Sequence, residues 1–123
     1  MHLSYSQLER LAEAGAAHND WISSLRAVGG VYLIVSSVTG AQYVGSAFGA
    51  EGIWGRWCSY LGNGHGGNKL LRELCQADAR HPAALSFSIL DTFSTSMGRD
   101  EALALESLYK AKLGSRAFGL NAN

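Results

Sequence analysis

Five consecutive residues, Val31-Tyr32-Leu33-Ile34-Val35, are all β-branched, aromatic or aliphatic, so both faces of an extended segment there are apolar. A strand covered on two sides reads this way, which predicts a central place in a sheet. A short turn around Ser37-Val38-Thr39-Gly40 leads into Ala41-Gln42-Tyr43-Val44-Gly45, and the pair predicts a β-hairpin. If the loop holds an even number of residues, two or four, side-chain alternation brings Tyr32 and Tyr43 to one face. Further on, Leu85-Ser86-Phe87-Ser88-Ile89 alternates strictly, as a half-buried strand does.

Helical periodicity fills the intervals. Ser6-Gln7-Leu8-Glu9 has the form of a capping box and predicts a helix over about residues 6–17, with Asn19-Asp20 capping a second turn that carries Trp21, Ile22 and Leu25. Gly29-Gly30 is expected to end helical structure. Trp54, Trp57 and Leu61 form one stripe of a helix over 53–61, with Arg56 and Tyr60 sharing a neighbouring edge. Leu70, Leu71, Leu74 and Cys75 mark a helix from Lys69 to Asp78, which Pro82 stops. Asp100 opens a last helix with Ala102, Leu105, Leu108 and Tyr109 on its apolar side; Lys110, Lys112 and Gly114 close it. The expected class is α+β: a small, mostly antiparallel three-stranded sheet flanked by helices. Residues 1–28 read as an N-terminal helical extension and residues 29–123 as the main domain.

With 123 residues and 47% hydrophobic side chains the chain fits one domain with one core. No apolar run is long enough to span a bilayer, and Met1-His2-Leu3-Ser4 lacks the basic and apolar regions of a signal peptide, so a cytoplasmic protein with no membrane partner is expected. Two cysteines, Cys58 and Cys75, form no CxxC and fit a reducing compartment. A Gly-rich phosphate loop, a His-Glu-x-x-His and a Gly-x-Ser-x-Gly are all missing, and the four histidines are not paired with cysteines at metal spacing. Ten basic residues balance ten acidic ones, divided as minus two over residues 1–54 and plus two over 55–123. Averaged over the chain, that balance argues against a polyanion partner.

What remains is a set of polar or aromatic residues at conspicuous places: Tyr32 and Tyr43 on strands, Arg56 and Tyr60 on one helix edge, Glu106 within the last helix, and Asn121 in the tail. Each has a plain structural explanation. Tyrosines on strands usually pack, Arg56 would ordinarily be solvated, and Glu106 with Lys110 has the favourable order of a surface ion pair. Taken together and in order, they resemble the GIY-YIG nuclease family. Gly30-Val31-Tyr32 stands for the first tripeptide and, after ten intervening residues, Tyr43-Val44-Gly45 for the second, each with Val for Ile. Ser46-Ala47 continues the pattern, and Arg56-Trp57 with Tyr60 matches the helix that carries the family's Arg. Gly64-His65-Gly66-Gly67-Asn68-Lys69-Leu70 resembles the polar loop that follows, Ser88-Ile89-Leu90 the third strand, Glu106 the metal-binding Glu, and Gly119-Leu120-Asn121 the terminal Asn element. The resemblance spans about residues 29–123.

The resemblance implies hydrolysis of DNA phosphodiesters, RNA not being excluded, with one Mg2+ or Mn2+ bound by Glu106. Arg56 would hold the scissile phosphate with its planar fork of donors. Tyr32, Tyr43 and Tyr60 compete for the general base; analogy favours Tyr32, with the other two positioning water or phosphate. A tyrosine in that role needs a nearby cation, since its free pKa is about 10. Asn121 would orient Glu106 or a neighbour, while Gly45, Ser46, His65 and Lys69 are candidate substrate contacts. The alternative reading is a nucleic-acid-binding or partner-docked module with weak cleavage of its own. Family members commonly carry an added DNA-binding segment, so a homodimer or an additional DNA-binding chain is the expected kind of partner. Because the charge balance is zero, few phosphate contacts are expected, and log affinity for DNA should fall shallowly with log salt. A filter-binding series over salt checks this; a slope implying about eight or more neutralised phosphates would contradict it.

Overall fold

The computed structural model describes residues 2–14, 19–61, 69–77 and 81–114. In chain order these form β1 (His2–Ser4), α1 (Tyr5–Ala14), α2 (Asn19–Ala27), β2 (Val28–Ser36), β3 (Gln42–Ala47), α3 (Gly52–Cys58), α4 (Lys69–Ala77), a single 3-10 turn (His81–Ala84), β4 (Leu85–Ser94) and α5 (Arg99–Leu113). The strands make one antiparallel sheet in the order β1-β4-β2-β3.

β2 is central, as its apolar run predicts, and β3 is an edge strand. The hairpin register pairs Ile34 with Tyr43 and Tyr32 with Gly45. Ser36 N–H donates to Ala41 O, which closes a loop over residues 37–40. That loop is even, so Tyr32 and Tyr43 do share a face, their ring centroids 6.5 Å apart. Between Val31 and Tyr32 the pairing with β4 shifts by one residue: Val31 pairs with Asp91 but Tyr32 with Ile89. Leu90 is the extra residue of this bulge, and bulges of this kind sharpen strand twist locally.

The sheet has four strands rather than three. Leu3 pairs with Phe87, so β1 adds an edge strand whose middle residue points to the core. Three residues are too few to display the period of two on which strand reading depends. Leu8, Leu11 and Leu25 from α1 and α2 join the same core, so much of residues 1–28 is packed against the sheet.

That core lies on the face carrying Tyr32, Ile34, Leu85 and Phe87, and it is closed by Ile53 and Trp57 of α3, by Tyr60, and by Leu71 of α4. Burying a side chain of this size contributes about 1.5–3 kcal/mol, so these residues dominate the hydrophobic stabilisation. The opposite face is covered only in part. α5 lies over β2 and β3, where Val31, Val44 and Ala102 are fully buried, whereas Leu33 and Val35 are half-buried. Strand β2 is thus covered on both faces at one end only.

Two boundaries and one burial differ from the periodicity reading. α2 stops at Ala27, and Gly29 and Gly30 belong to β2 instead of ending a helix. A Cβ on Gly29 would stand 2.5 Å from the Phe93 ring, so the glycine admits a cross-strand aromatic. Leu108, assigned to the apolar side of α5, is 47% exposed. The capping box of α1 begins at Ser4: Gln7 N–H donates to Ser4 Oγ at 3.2 Å, and Ser4 N–H donates to Gln7 Oε1 at 2.8 Å. Ser4→Ala is therefore expected to lower the unfolding free energy by about 1 kcal/mol. Ser6→Ala, by contrast, should change it by less than half as much; urea denaturation of the two variants distinguishes the two caps.

Candidate active site

β3 lies between helices on opposite faces of the sheet. Tyr43 and Ala47 pack with the core on the α3 side, while Ser46 reaches Glu106 of α5. The edge of β3 therefore forms the floor of a cavity of about 500 Å³, whose lining includes Tyr43, Ser46, Phe48, Arg56, Ser59 and Glu106. Residues far apart in sequence converge there because the edge strand exposes both of its faces at one rim.

On the α3 side the polar residues form one network. Arg56 Nε donates to the Tyr32 hydroxyl at 3.2 Å, and Tyr32 and Tyr60 share a hydroxyl hydrogen bond of 2.9 Å. The Arg56 guanidinium stands 5.3 Å from the centroid of the Tyr60 ring, and Arg56 also donates to Ser59 Oγ at 3.2 Å. The turn that ends α3 makes this possible. Ser59, Tyr60 and Leu61 donate to the carbonyls three residues back, at Arg56, Trp57 and Cys58, which tightens the chain and swings Tyr60 beneath Arg56. Tyr32 is fixed from above by Gly45, where any Cβ would lie 2.5 Å from its hydroxyl oxygen. The glycine of the second tripeptide is thus the floor on which the tyrosine of the first one lies.

Tyr32 and Tyr60 have no exposed surface. Burial pushes the Tyr32 hydroxyl above the usual tyrosine range, with Tyr43 adding to the effect and Arg56 opposing it. Burial, then Tyr32 and Tyr43, likewise raise Tyr60. For Arg56, burial disfavours the cation, but the oxygens of Tyr32 and Tyr60 outweigh it and the net shift is upward. Arg56 is charged at any working pH.

On the α5 side, Glu106 accepts from Ser46 Oγ at 2.8 Å through Oε1, and its Oε2 lies 3.0 Å from Lys110 Nζ. These two side chains are 12% and 4% exposed, so the Glu106–Lys110 pair is buried and not the surface pair that its spacing suggests. In such a pair, removing one partner strands the other and costs roughly 3–5 kcal/mol. As a metal site the donor set fits one hydrated hard cation. Two carboxylates line the cavity, Glu106 and the more exposed Glu51, which is paired with Arg26, and among the described residues no group of three or more His, Cys, Asp or Glu could hold an ion. Mg2+ commonly accepts that arrangement, filling its other positions with water and phosphate oxygens, whereas structural zinc does not.

Of the residues expected at the site, Tyr43, Ser46, Arg56 and Glu106 line the cavity. Tyr32, Tyr60 and Gly45 sit behind it, buried, and act on it through Arg56 and the Tyr32 ring. Lys69 is exposed at the start of α4 and is not part of the lining. His65 and Asn121 lie outside the described residues. Sequence reasoning missed Ser59, Phe48 and Lys110. Only Lys110 left a signal, its place four residues after Glu106, and periodicity assigned that to solvent.

The burial of the two phenols has a spectroscopic consequence. In an alkaline titration followed by tyrosinate absorbance, Tyr32 and Tyr60 are expected to stay protonated past the ordinary range near 10 and to ionise only as the protein unfolds. Since the folded pKa is the higher one, the neutral phenols stabilise the fold fully below the unfolded value, and that contribution is lost as pH climbs above it. Tyr60→Phe should remove one late-titrating group and leave the early ones unchanged.

No family model and no curated protein matches the sequence. Among solved structures, the chain is similar to a point mutant of the catalytic domain of intron endonuclease I-TevI, with a TM-score of 0.59 and 22% identity over 78% of this chain and 94% of that one. This likeness is one of architecture: the chain has the GIY-YIG type of fold.

Proposed function

We propose that this chain is a metal-dependent endonuclease that hydrolyses phosphodiester bonds of DNA. One observation carries the reading: Arg56 and Glu106, from different helices on opposite faces of the sheet, open into one cavity beside Tyr43 and Ser46. An always-charged donor fork and a hard carboxylate across a cavity are what a phosphodiester and its cation require. The similar structure is itself an endonuclease catalytic domain, which supports the same reaction class.

Each residue then has a task. Arg56 takes the scissile phosphate, its guanidinium held by Tyr32 and Ser59 so that little rotamer freedom is lost on binding. Glu106, turned by Ser46, is the carboxylate that would hold Mg2+ or Mn2+. When bound, the cation supplies positive charge for the leaving oxygen. Tyr43 is the tyrosine that meets the cavity, so it is the one placed to orient the attacking water and take its proton. Tyr32 and Tyr60, buried and raised, position Arg56 rather than exchange protons with solvent.

The test uses purified protein with supercoiled, linear, branched and single-stranded substrates in Mg2+ or Mn2+, with the cut ends mapped. Glu106→Gln is preferred to Ala because it keeps the side-chain volume and one acceptor oxygen for Ser46 or Lys110, although it removes the counter-charge of the Lys110 ammonium. It should abolish cutting, and undiminished cutting by this variant would overturn the proposal. Arg56→Ala should slow cleavage by roughly 10²–10³-fold. Arg56→Lys should recover little, since one ammonium cannot reproduce a bidentate fork.

A further inference from the structure

Both oxygens of the carboxylate assigned to the cation already have partners. Ser46 donates to one, and Lys110 Nζ, on a side chain only 4% exposed, stands 3.0 Å from the other. The spacing of four residues on α5 fixes this contact through helix geometry and not through a wandering surface chain. The remaining charges around the cavity do not favour a dication either. Arg56 adds a positive charge, and the other acidic lining residue, Glu51, is paired with Arg26 at 3.2 Å. Among the described residues, a divalent ion entering the cavity therefore meets two carboxylates, each already paired with a cation, beside the Arg56 guanidinium.

We infer that Lys110 is an internal counter-cation to Glu106, so that the site holds a divalent ion poorly by itself and takes it up together with the phosphodiester. The inference rests on the metal role proposed for Glu106. The phosphate brings the negative charge that Lys110 cancels: bound against Arg56, it offsets that residue and gives the ion a second anionic ligand. Lys110 is in these terms a positioning residue. It holds the carboxylate in place while the site is empty of metal, and it sets the order in which metal and DNA assemble.

The experiment measures Mn2+ binding by electron paramagnetic resonance for the full chain, with and without a short DNA duplex, in the unmodified protein, Lys110→Gln and Glu106→Gln. Lys110→Gln removes the charge and keeps a hydrogen-bond donor for Glu106. Three results are expected: weak Mn2+ binding by the unmodified protein that strengthens when DNA is added, binding at least about tenfold tighter in Lys110→Gln without DNA, and no binding in Glu106→Gln. If Glu106→Gln binds Mn2+ as well as the unmodified protein does, the metal role of Glu106 fails and this inference with it. If binding depends on Glu106 yet Lys110→Gln is no tighter, the counter-cation role is overturned while the metal role stands. Should Lys110→Gln not fold, the unmodified protein still decides the matter. The lysine ammonium signal of Lys110 in a nitrogen-15 spectrum should shift on titration with Mg2+ and DNA together, and a signal that stays put would overturn the inference.

Discussion

Tyr32 has no contact with solvent, yet its hydroxyl is bonded to two other polar groups, the hydroxyl of Tyr60 and the guanidinium of Arg56. A buried hydroxyl left without a partner costs about 1–3 kcal/mol, so the two phenols can be buried only together, against the half-buried Arg56, and in one geometry. The rest of the active-site side follows from that requirement. β3 must bring a glycine over the Tyr32 ring, α3 must end in a tight turn so that Tyr60 comes beneath Arg56, and Trp57 and Phe87 must close the core around both rings. The aromatic contacts are edge-on or tilted, which seals the network without stacking the rings face to face. One loose end is visible: the Trp57 indole N–H is buried with no partner among the described residues, a donor traded for the packing of its ring.

The two halves of the cavity are built on different physics. The α3 half is rigid through apolar burial around a small polar knot. The α5 half is held by charge, with Ala102, Glu106 and Lys110 making its inward stripe against β3. The first half presents a fixed cation to the cavity, while the second presents an anion whose charge is compensated from behind.

How much of this was legible in the sequence depended on whether apolar periodicity carried the information. Strand β2, the hairpin, the common face of Tyr32 and Tyr43 and the Trp54–Trp57 stripe were legible because alternation or helical spacing of large apolar residues marked them. Strand β1 was not, since His2-Leu3-Ser4 contains one apolar residue and its pairing with β4 is a contact between distant parts of the chain. The inward stripe of α5 was misread for a related reason. Its buried residues are an alanine and a lysine, whereas Leu108, which periodicity assigned to the core, is exposed. The GIY-YIG resemblance supplied what periodicity could not, that Arg56 and Glu106 belong to one place. It ranked Tyr32 first among the tyrosines; the structure buries that hydroxyl and brings Tyr43 to the cavity, a difference in exposure that a motif does not carry.

The closed loop over residues 37–40 sets the phase of β3 against β2. A one-residue slip of β3 against β2 would turn β3 over, send Tyr43 toward α5 and Ser46 toward α3, and set a residue with a Cβ where Gly45 now meets the Tyr32 hydroxyl. The turn therefore works as a parity device: it decides which side chains of β3 meet α3 and which meet α5.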